Sequence, residues 1–237
     1  TDSRPKQAVF EGSGGWRVGG FAKGAGMIAP AMATMLAVLS TDADVSREDL
    51  DAALRAATAG TFDLLDIDGS TSTNDTVLVL ASGASGVPVS REGLTDGLTA
   101  VCTGLVDQLQ ADAEGVTKHV TVTVRGAATR AEAVAVARSV ARDNLVKTAF
   151  FGSDPNWGRI AMAVGNAAEF DPQQLDITIN GVAVCVRGGT GEDRSKADLS
   201  GKDITVAIDL HAGDGTATVL TTDLSHGYVE ENSAYSS

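Results

Sequence analysis

Cysteine is almost absent from this sequence. Among its 237 residues only Cys102 and Cys185 carry thiols, and each lies in an apolar stretch. Two thiols make at most one bridge, so a disulfide framework is excluded and a reducing, cytoplasmic compartment is expected. Positive charge is scarce as well: 18 Lys and Arg face 31 Asp and Glu, a formal net charge of -13. Nucleic acid and anionic membrane surfaces both require a basic patch, so neither is an expected partner. No apolar run reaches the roughly 18 residues of a membrane-spanning helix. A secretory leader pattern is lacking, and the first residue is Thr1 rather than Met, as expected of a processed or partial chain. His119, His211 and His226 are scattered without metal-site spacing. Surface or strand-end positions suit them, and no metal or other cofactor is expected. Aromatic residues make up only 4%, but hydrophobic residues make up 43%. A sizeable core is therefore available, built from aliphatic and small side chains.

Hydrophobic periodicity gives the layout. Residues 16–24 (WRVGGFAKG) suggest a short strand running into a glycine loop. The continuous apolar runs 34–41 (TMLAVLST) and 76–82 (TVLVLAS) suggest strands buried on both faces. Helices are expected from Ser46 to Gly60 and from Ser90 to about Glu114, each opened by a capping serine. Residues 118–126 (KHVTVTVRG) alternate as a half-exposed strand does. Thr129 and Glu132 form the capping box of a helix over 129–143, and a further helical piece is expected over 156–168. Residues 175–188 form a hairpin turning at Asn180-Gly181, and strands are expected at 203–210 and 215–224. The expectation is an α+β fold of layered mixed sheets and helices. Within it, 117–224 makes a smaller α/β subdomain.

Familiar nucleotide and metal motifs fail on context. Gly24-Ala25-Gly26-Met27-Ile28-Ala29 has the spacing of a dinucleotide fingerprint, but Pro30 and the lack of a following helix remove its strand-turn-helix setting. No P-loop pattern occurs. In 63–76 (DLLDIDGSTSTNDT) Gly69 comes too soon after Asp66 for an EF-hand, and no glutamate closes the loop. Ser85 lacks the second glycine of a nucleophile elbow, and the Asn74 sequon has no secretory context.

The stretch KGAGMIAPAMATML, residues 23–36, poses a different question: why Thr34 stands at the junction of a small-residue loop and an apolar strand. A threonine hydroxyl needs a base to act as a nucleophile. If the chain is cut before Thr34, the freed α-amino group can be that base, with an ordinary pKa of about 7.7–8.0. Small residues before the threonine, in the PAMA stretch, would let the hydroxyl reach the preceding carbonyl. By pattern alone, an Ala-Thr junction is more often just the start of a strand.

The blocks AKGAGMIAPAMATML (22–36), TDSRPK (1–6), DIDGSTSTNDT (66–76), DAEGVTK (112–118), LVKTAFFGSDPNWGR (145–159) and DLSHGYVEENSAYSS (223–237) run from end to end of the chain. Together they resemble the bifunctional glutamate N-acetyltransferases of arginine biosynthesis, also called ornithine acetyltransferases. The resemblance implies a fold similar to the N-terminal-nucleophile enzymes and self-cleavage between Ala33 and Thr34. Residues 1–33 would then end an α-subunit region and 34–237 would form the β-subunit region. The latter would comprise a nucleophile-bearing part (34–116), the smaller subdomain (117–224) and a substrate-site tail (225–237).

The implied reaction moves acetyl from N2-acetylornithine to glutamate through acetyl-Thr34. Many members also accept acetyl-CoA, and the implied assembly is α2β2. Lys23 matches a substrate-binding lysine suited to the α-carboxylate shared by both substrates. Glu114 matches a substrate-binding acid. Asn232 and Ser237 match the closing pair of the family, and Thr1 a substrate-contacting threonine, although a doubled threonine is usual there. The STSTND and DPNWGR blocks are better read as a supporting shell, with Trp157 in packing and Arg159 in a buried ion pair. The family's oxyanion hole is a Thr-Gly pair upstream of the cleavage site, and residues 1–33 do not contain it. An upstream α-subunit segment is therefore an expected partner. Rival readings are a related amidohydrolase or aminopeptidase, a paralogue in a specialised pathway, and a remnant that never cleaves.

Overall fold

A computed structural model describes residues 2–29, 35–71 and 74–234. The chain divides into two compact units, residues 1–113 and 114–237. The first holds a sheet in the order β1 (Lys6–Glu11), β2 (Arg17–Lys23), β3 (Leu36–Thr41), β4 (Thr76–Ala81). The first three strands are antiparallel neighbours, and β4 joins β3 in parallel. A parallel step needs a long crossover, which here contains α1 (Arg47–Ala59). Ser46 starts that helix by accepting from the Asp49 N–H, and Ser90 starts α2 (Arg91–Ala111) by accepting from the Gly93 N–H. Leu94, Leu98, Val101, Leu105 and Leu109 place the apolar stripe of α2 in the core. The helix lies so close to the strands that a Cβ on Gly97 would come within 2.8 Å of the Trp16 ring.

Among the described residues, only one face of this sheet is covered. Val18, Ala22, Ala37 and Leu39 on the helical side are buried. On the opposite side the register aligns Phe21, Val38 and Leu78 across three strands, with Val9 and Leu80 beside them. There Val9 is 71% exposed, Phe21 59%, Leu80 56% and Leu78 45%. This corrects the expectation that 34–41 and 76–82 are buried on both faces. Both faces are apolar, as the runs implied, but the helices cover one.

The second unit is a six-stranded sheet in the order β10 (Gly215–Thr222), β5 (His119–Ala127), β9 (Asp203–Asp209), β6 (Asp176–Ile179), β7 (Val182–Val186), β8 (Gly189–Thr190). Its β5–β9 pair is parallel and the others antiparallel. Val120, Val122 and Val124 alternate inward along β5, as the sequence pattern requires. Against β5 and β10 lies α3 (Arg130–Arg142), capped by Thr129. It is followed by α4 (Asn144–Phe151), α5 (Trp157–Gly165) and, at the end of the described chain, α6 (His226–Ala234). Asn180 and Gly181 both have positive φ, 46° and 82°, which fits the two-residue turn expected between β6 and β7. The layered α+β architecture is the expected class.

Cys102 and Cys185 are both buried and free. Burial pushes the Cys102 thiol up to about 11 and raises that of Cys185. A thiolate reagent at pH 8 should therefore label neither in the native protein, and both after denaturation. Rapid native labelling of either residue would contradict this placement.

Candidate active site

The Ala33–Thr34 junction falls in the loop of a hairpin. Strands β2 and β3 pair from Val18 with Thr41 to Lys23 with Leu36, so residues 24–35 connect them. Ala33 and Thr34 lie outside the described residues, but both ends of the loop are described. At one end Gly24 has φ +142°, and a Cβ there would sit 3.3 Å from the Cα of Met35. The contact is tight, and the positive φ strains any residue other than glycine. At the other end the Met35 N–H donates to Asp75 Oδ1 at 2.6 Å. Burial pushes the Asp75 carboxyl up, and the Met35 N–H opposes it.

Described residues of the block 66–76 bond to the described ends of this loop. The Ile67 N–H donates to the Ile28 carbonyl at 2.7 Å, and the Met27 N–H donates to Asp68 Oδ2 at 2.8 Å. Asp66 and Asp68 also accept from the Gly69 and Ser70 amides. These carboxylates thus serve backbone turns in a stretch that superficially resembles a calcium loop. Beside them is a cavity of about 150 Å³ lined by Ile28, Ala29, Met35, Asp63 and Asp75 among others. Lys23 is exposed at the end of β2 and lines an open hollow of about 390 Å³ with Asp2, Ser3, Arg4, Pro5 and Ala22.

In the second unit Glu114 and Asn232 meet. Asn232 Nδ2 donates to Glu114 Oε2 at 3.1 Å and to the Tyr228 carbonyl at 3.0 Å. Backbone packing makes that meeting possible. Gly115 has φ +60°, and a Cβ on it would lie 2.0 Å from the Tyr228 nitrogen. The Ser225 hydroxyl donates to the Gly115 carbonyl and accepts the Tyr228 N–H. Asp223 accepts the Thr117 and Lys118 N–H groups at 3.0 and 2.9 Å. The Lys118 ammonium is buried against the carbonyls of Leu199, Ser200 and Gly201. Lys147 is buried likewise and donates to Thr221 Oγ1 and the Thr222 carbonyl. Thr1 and Ser237 lie outside the described residues.

One supporting residue differs from expectation. Arg159 is half-buried and donates to the Leu145 carbonyl at 2.7 Å. Its guanidinium joins the start of α4 to α5 instead of forming a buried ion pair, because a main-chain oxygen occupies the place of the carboxylate. Asn156 caps α5 by accepting the Arg159 N–H. Among the described residues no group of three or more His, Cys, Asp or Glu side chains is arranged to hold a metal ion, and no helix is long and apolar enough to cross a membrane. Sequence reading missed Asp2, Lys6 and Asp112, whose charges meet in the first unit. The i, i+4 spacing of Asp2 and Lys6 was the one available signal, since Asp112 lies far away in sequence.

The ArgJ family profile matches residues 1–237. The curated arginine biosynthesis bifunctional protein ArgJ of Mycolicibacterium paratuberculosis is 61% identical over the whole of this chain, and that of Mycobacterium tuberculosis is 58% identical. The ArgJ of Streptomyces coelicolor is 53% identical. The chain spans 59% of the length of the two mycobacterial relatives and 62% of the Streptomyces one. The crystal structure of the arginine biosynthesis bifunctional protein argJ from Bacillus halodurans superposes with a TM-score of 0.78 at 34% identity, over 83% of this chain and 97% of that one. A profile match from end to end, joined to identities above one half with curated members, establishes that this chain belongs to the ArgJ family.

Proposed function

We propose that the protein containing this chain cuts itself between Ala33 and Thr34 and then transfers acetyl from N2-acetylornithine to glutamate through Thr34. The observation that carries this reading is the hairpin. Its ladder from Val18–Thr41 to Lys23–Leu36 grips both sides of the junction, so a cut in the loop leaves the new terminus anchored at its strand. Lengths in the family agree. The Bacillus chain is nearly all covered by 83% of this one, so it is shorter, whereas the curated relatives are longer.

Each step balances on groups of this chain. In cleavage the Thr34 hydroxyl attacks the Ala33 carbonyl and the amide bond breaks, leaving an ester on Oγ and a Thr34 amine that has taken the hydroxyl proton; water then hydrolyses the ester to the Ala33 carboxylate and the Thr34 hydroxyl. The amine takes the hydroxyl proton while Oγ attacks the acetyl carbonyl of N2-acetylornithine. Collapse breaks the amide bond, ornithine leaves with the proton, and acetyl remains on Oγ. The glutamate amine then attacks this ester and restores the hydroxyl. Lys23 holds the α-carboxylate common to both substrates, and Glu114, oriented by Asn232, holds the amino end of the donor. Thr1 and Ser237 add substrate contacts. Acetyl-CoA is a second donor for the same Thr34.

The oxyanion hole comes from the part of the family protein outside these 237 residues. That part docks on the open face of the first sheet, where Val9, Phe21, Leu78 and Leu80 lie bare. Its size is adequate, since more than a third of the length of the curated relatives is unmatched. The assembly is α2β2 and resides in the cytoplasm.

The test is incubation of the full-length protein with N2-acetylornithine in the absence of glutamate. One acetyl mass should appear on a chain beginning at Thr34, with release of ornithine. Steady hydrolysis without a trapped acetyl chain would favour an amidohydrolase, and a requirement for both substrates at once would rule out the covalent route.

A further inference from the structure

We infer that Asp2, backed by the buried Lys6–Asp112 pair, is a positioning residue for Lys23. The inference rests on the reading of Lys23 as the carboxylate anchor. Lys6 opens β1 opposite Ala22 of β2, and its side chain is fully buried. A buried ammonium persists only where hydrogen-bonded carboxylates or carbonyls replace water. Two carboxylates do so here. Lys6 Nζ donates to Asp112 Oδ2 at 2.5 Å and to Asp2 Oδ1 at 2.6 Å. Asp112 follows the last turn of α2 and also accepts the Ser3 N–H at 3.1 Å. The N-terminal stretch is thereby fastened to a helix end.

One carboxylate is enough to neutralise Lys6, and Asp112 is the more deeply buried of the two. The second does something else. Asp2 Oδ1 also accepts the Gly24 N–H at 2.7 Å. That amide belongs to the Lys23–Gly24 peptide, so Asp2 fixes the plane from which the Lys23 side chain departs. From the other side, Gly24 packs closely on Met35: a Cβ on it would sit 3.3 Å from the Met35 Cα. Asp2 lines the same hollow as Lys23. Asp2 Oδ1 is already taken by two donors, and the Asp2 charge also acts on the Lys23 ammonium, so it steadies both the backbone and the charge of the lysine. Lys23 reaches the hollow as a flexible side chain on a rigid base, and preorganisation of that kind lowers the entropy lost on binding.

Steady-state kinetics on the full-length protein test this with Asp2→Ala, Asp2→Asn, Lys23→Ala and the double variant Asp2→Ala/Lys23→Ala. Asp2→Ala should raise KM for both N2-acetylornithine and glutamate by about tenfold, with kcat within about twofold. Asp2→Asn retains an oxygen acceptor for the Gly24 N–H and should lose less, about threefold. In the Lys23→Ala background, Asp2→Ala should add less than about twofold, because its effect passes through Lys23. Melting temperatures show which variants are folded, and the asparagine variant carries the test if the alanine variant is not. Multiplying effects of the two alanine substitutions, or a loss in kcat alone, would overturn the positioning role while leaving Lys23 as anchor. Unchanged KM values in Lys23→Ala itself would overturn the anchor reading and this inference with it.

Discussion

On the proposed route, Thr34→Ala in the full-length protein should give one uncut polypeptide with no acetyl transfer. Two losses coincide in this substitution. The hydroxyl that attacks the Ala33 carbonyl is gone, so no new amino terminus forms. The hydroxyl that would carry acetyl is gone too, so even a chain cut by other means could not form the ester. Removing a nucleophile from a preorganised site typically costs about 10⁴–10⁶ in kcat. Thr34→Ser retains the hydroxyl and should still cleave, with a weaker hold on the rotamer because the β-branch is lost. A denaturing gel, N-terminal sequencing and an ornithine-release assay read all of these outcomes. A second chain starting at a residue other than Thr34, or transfer by Thr34→Ala within tenfold of wild type, would refute the assignment.

The hairpin that makes this substitution decisive was half visible in the sequence. The apolar runs at 16–24 and 34–41 marked two strands, and the glycines between them marked a loop. Their direct pairing could not be read, because a loop of that length does not dictate antiparallel neighbours. Local chemistry was readable elsewhere: Ser46, Ser90 and Thr129 cap helices, and Asn180-Gly181 forms a turn, because each acts within a few residues. Long-range partners were not. Asp112 meets Lys6 only after α2 packs on β1, and Gly115 needs to be glycine only because the backbone of α6 crosses it. The helix α6 itself has an almost unpatterned sequence with no buried residue, so periodicity could not announce it. In β3 and β4 the continuous apolar runs marked the strands, but they could not show that the helices of this chain cover one face and leave the other exposed.

That uncovered face yields the last expectation. Phe21→Asp combined with Leu80→Asp should break the association of the two parts of the family protein. Phe21 lies in line with Val38 and Leu78, and Leu80 lies opposite Ser40, so both substitutions fall in the middle of the apolar surface. Gly19 and Ser40 leave a hollow of about 330 Å³ beside Leu80, large enough to accept a bulky side chain from a covering element. Two carboxylates placed under such a cover would be desolvated without partners, at a cost of several kcal/mol each. In the exposed sheet of this chain alone they would cost little. The affected property is therefore docking of the region upstream of this chain, read as its cleavage under limited proteolysis, because the two cut chains stay joined through the β2–β3 ladder. The control is Val186→Asp, which replaces an exposed apolar residue in the other unit and should leave the proteolysis pattern intact. Activity should fall with association for a geometric reason. Lys23 shares the open face with Phe21, two residues further along β2 and opposite Leu36. An element covering Phe21 must therefore pass close to the carboxylate anchor, where a donor to the oxyanion is needed, and loss of such a donor costs about 10²–10³ in kcat. An unchanged proteolysis pattern and full activity in the double variant would show that the upstream region binds elsewhere.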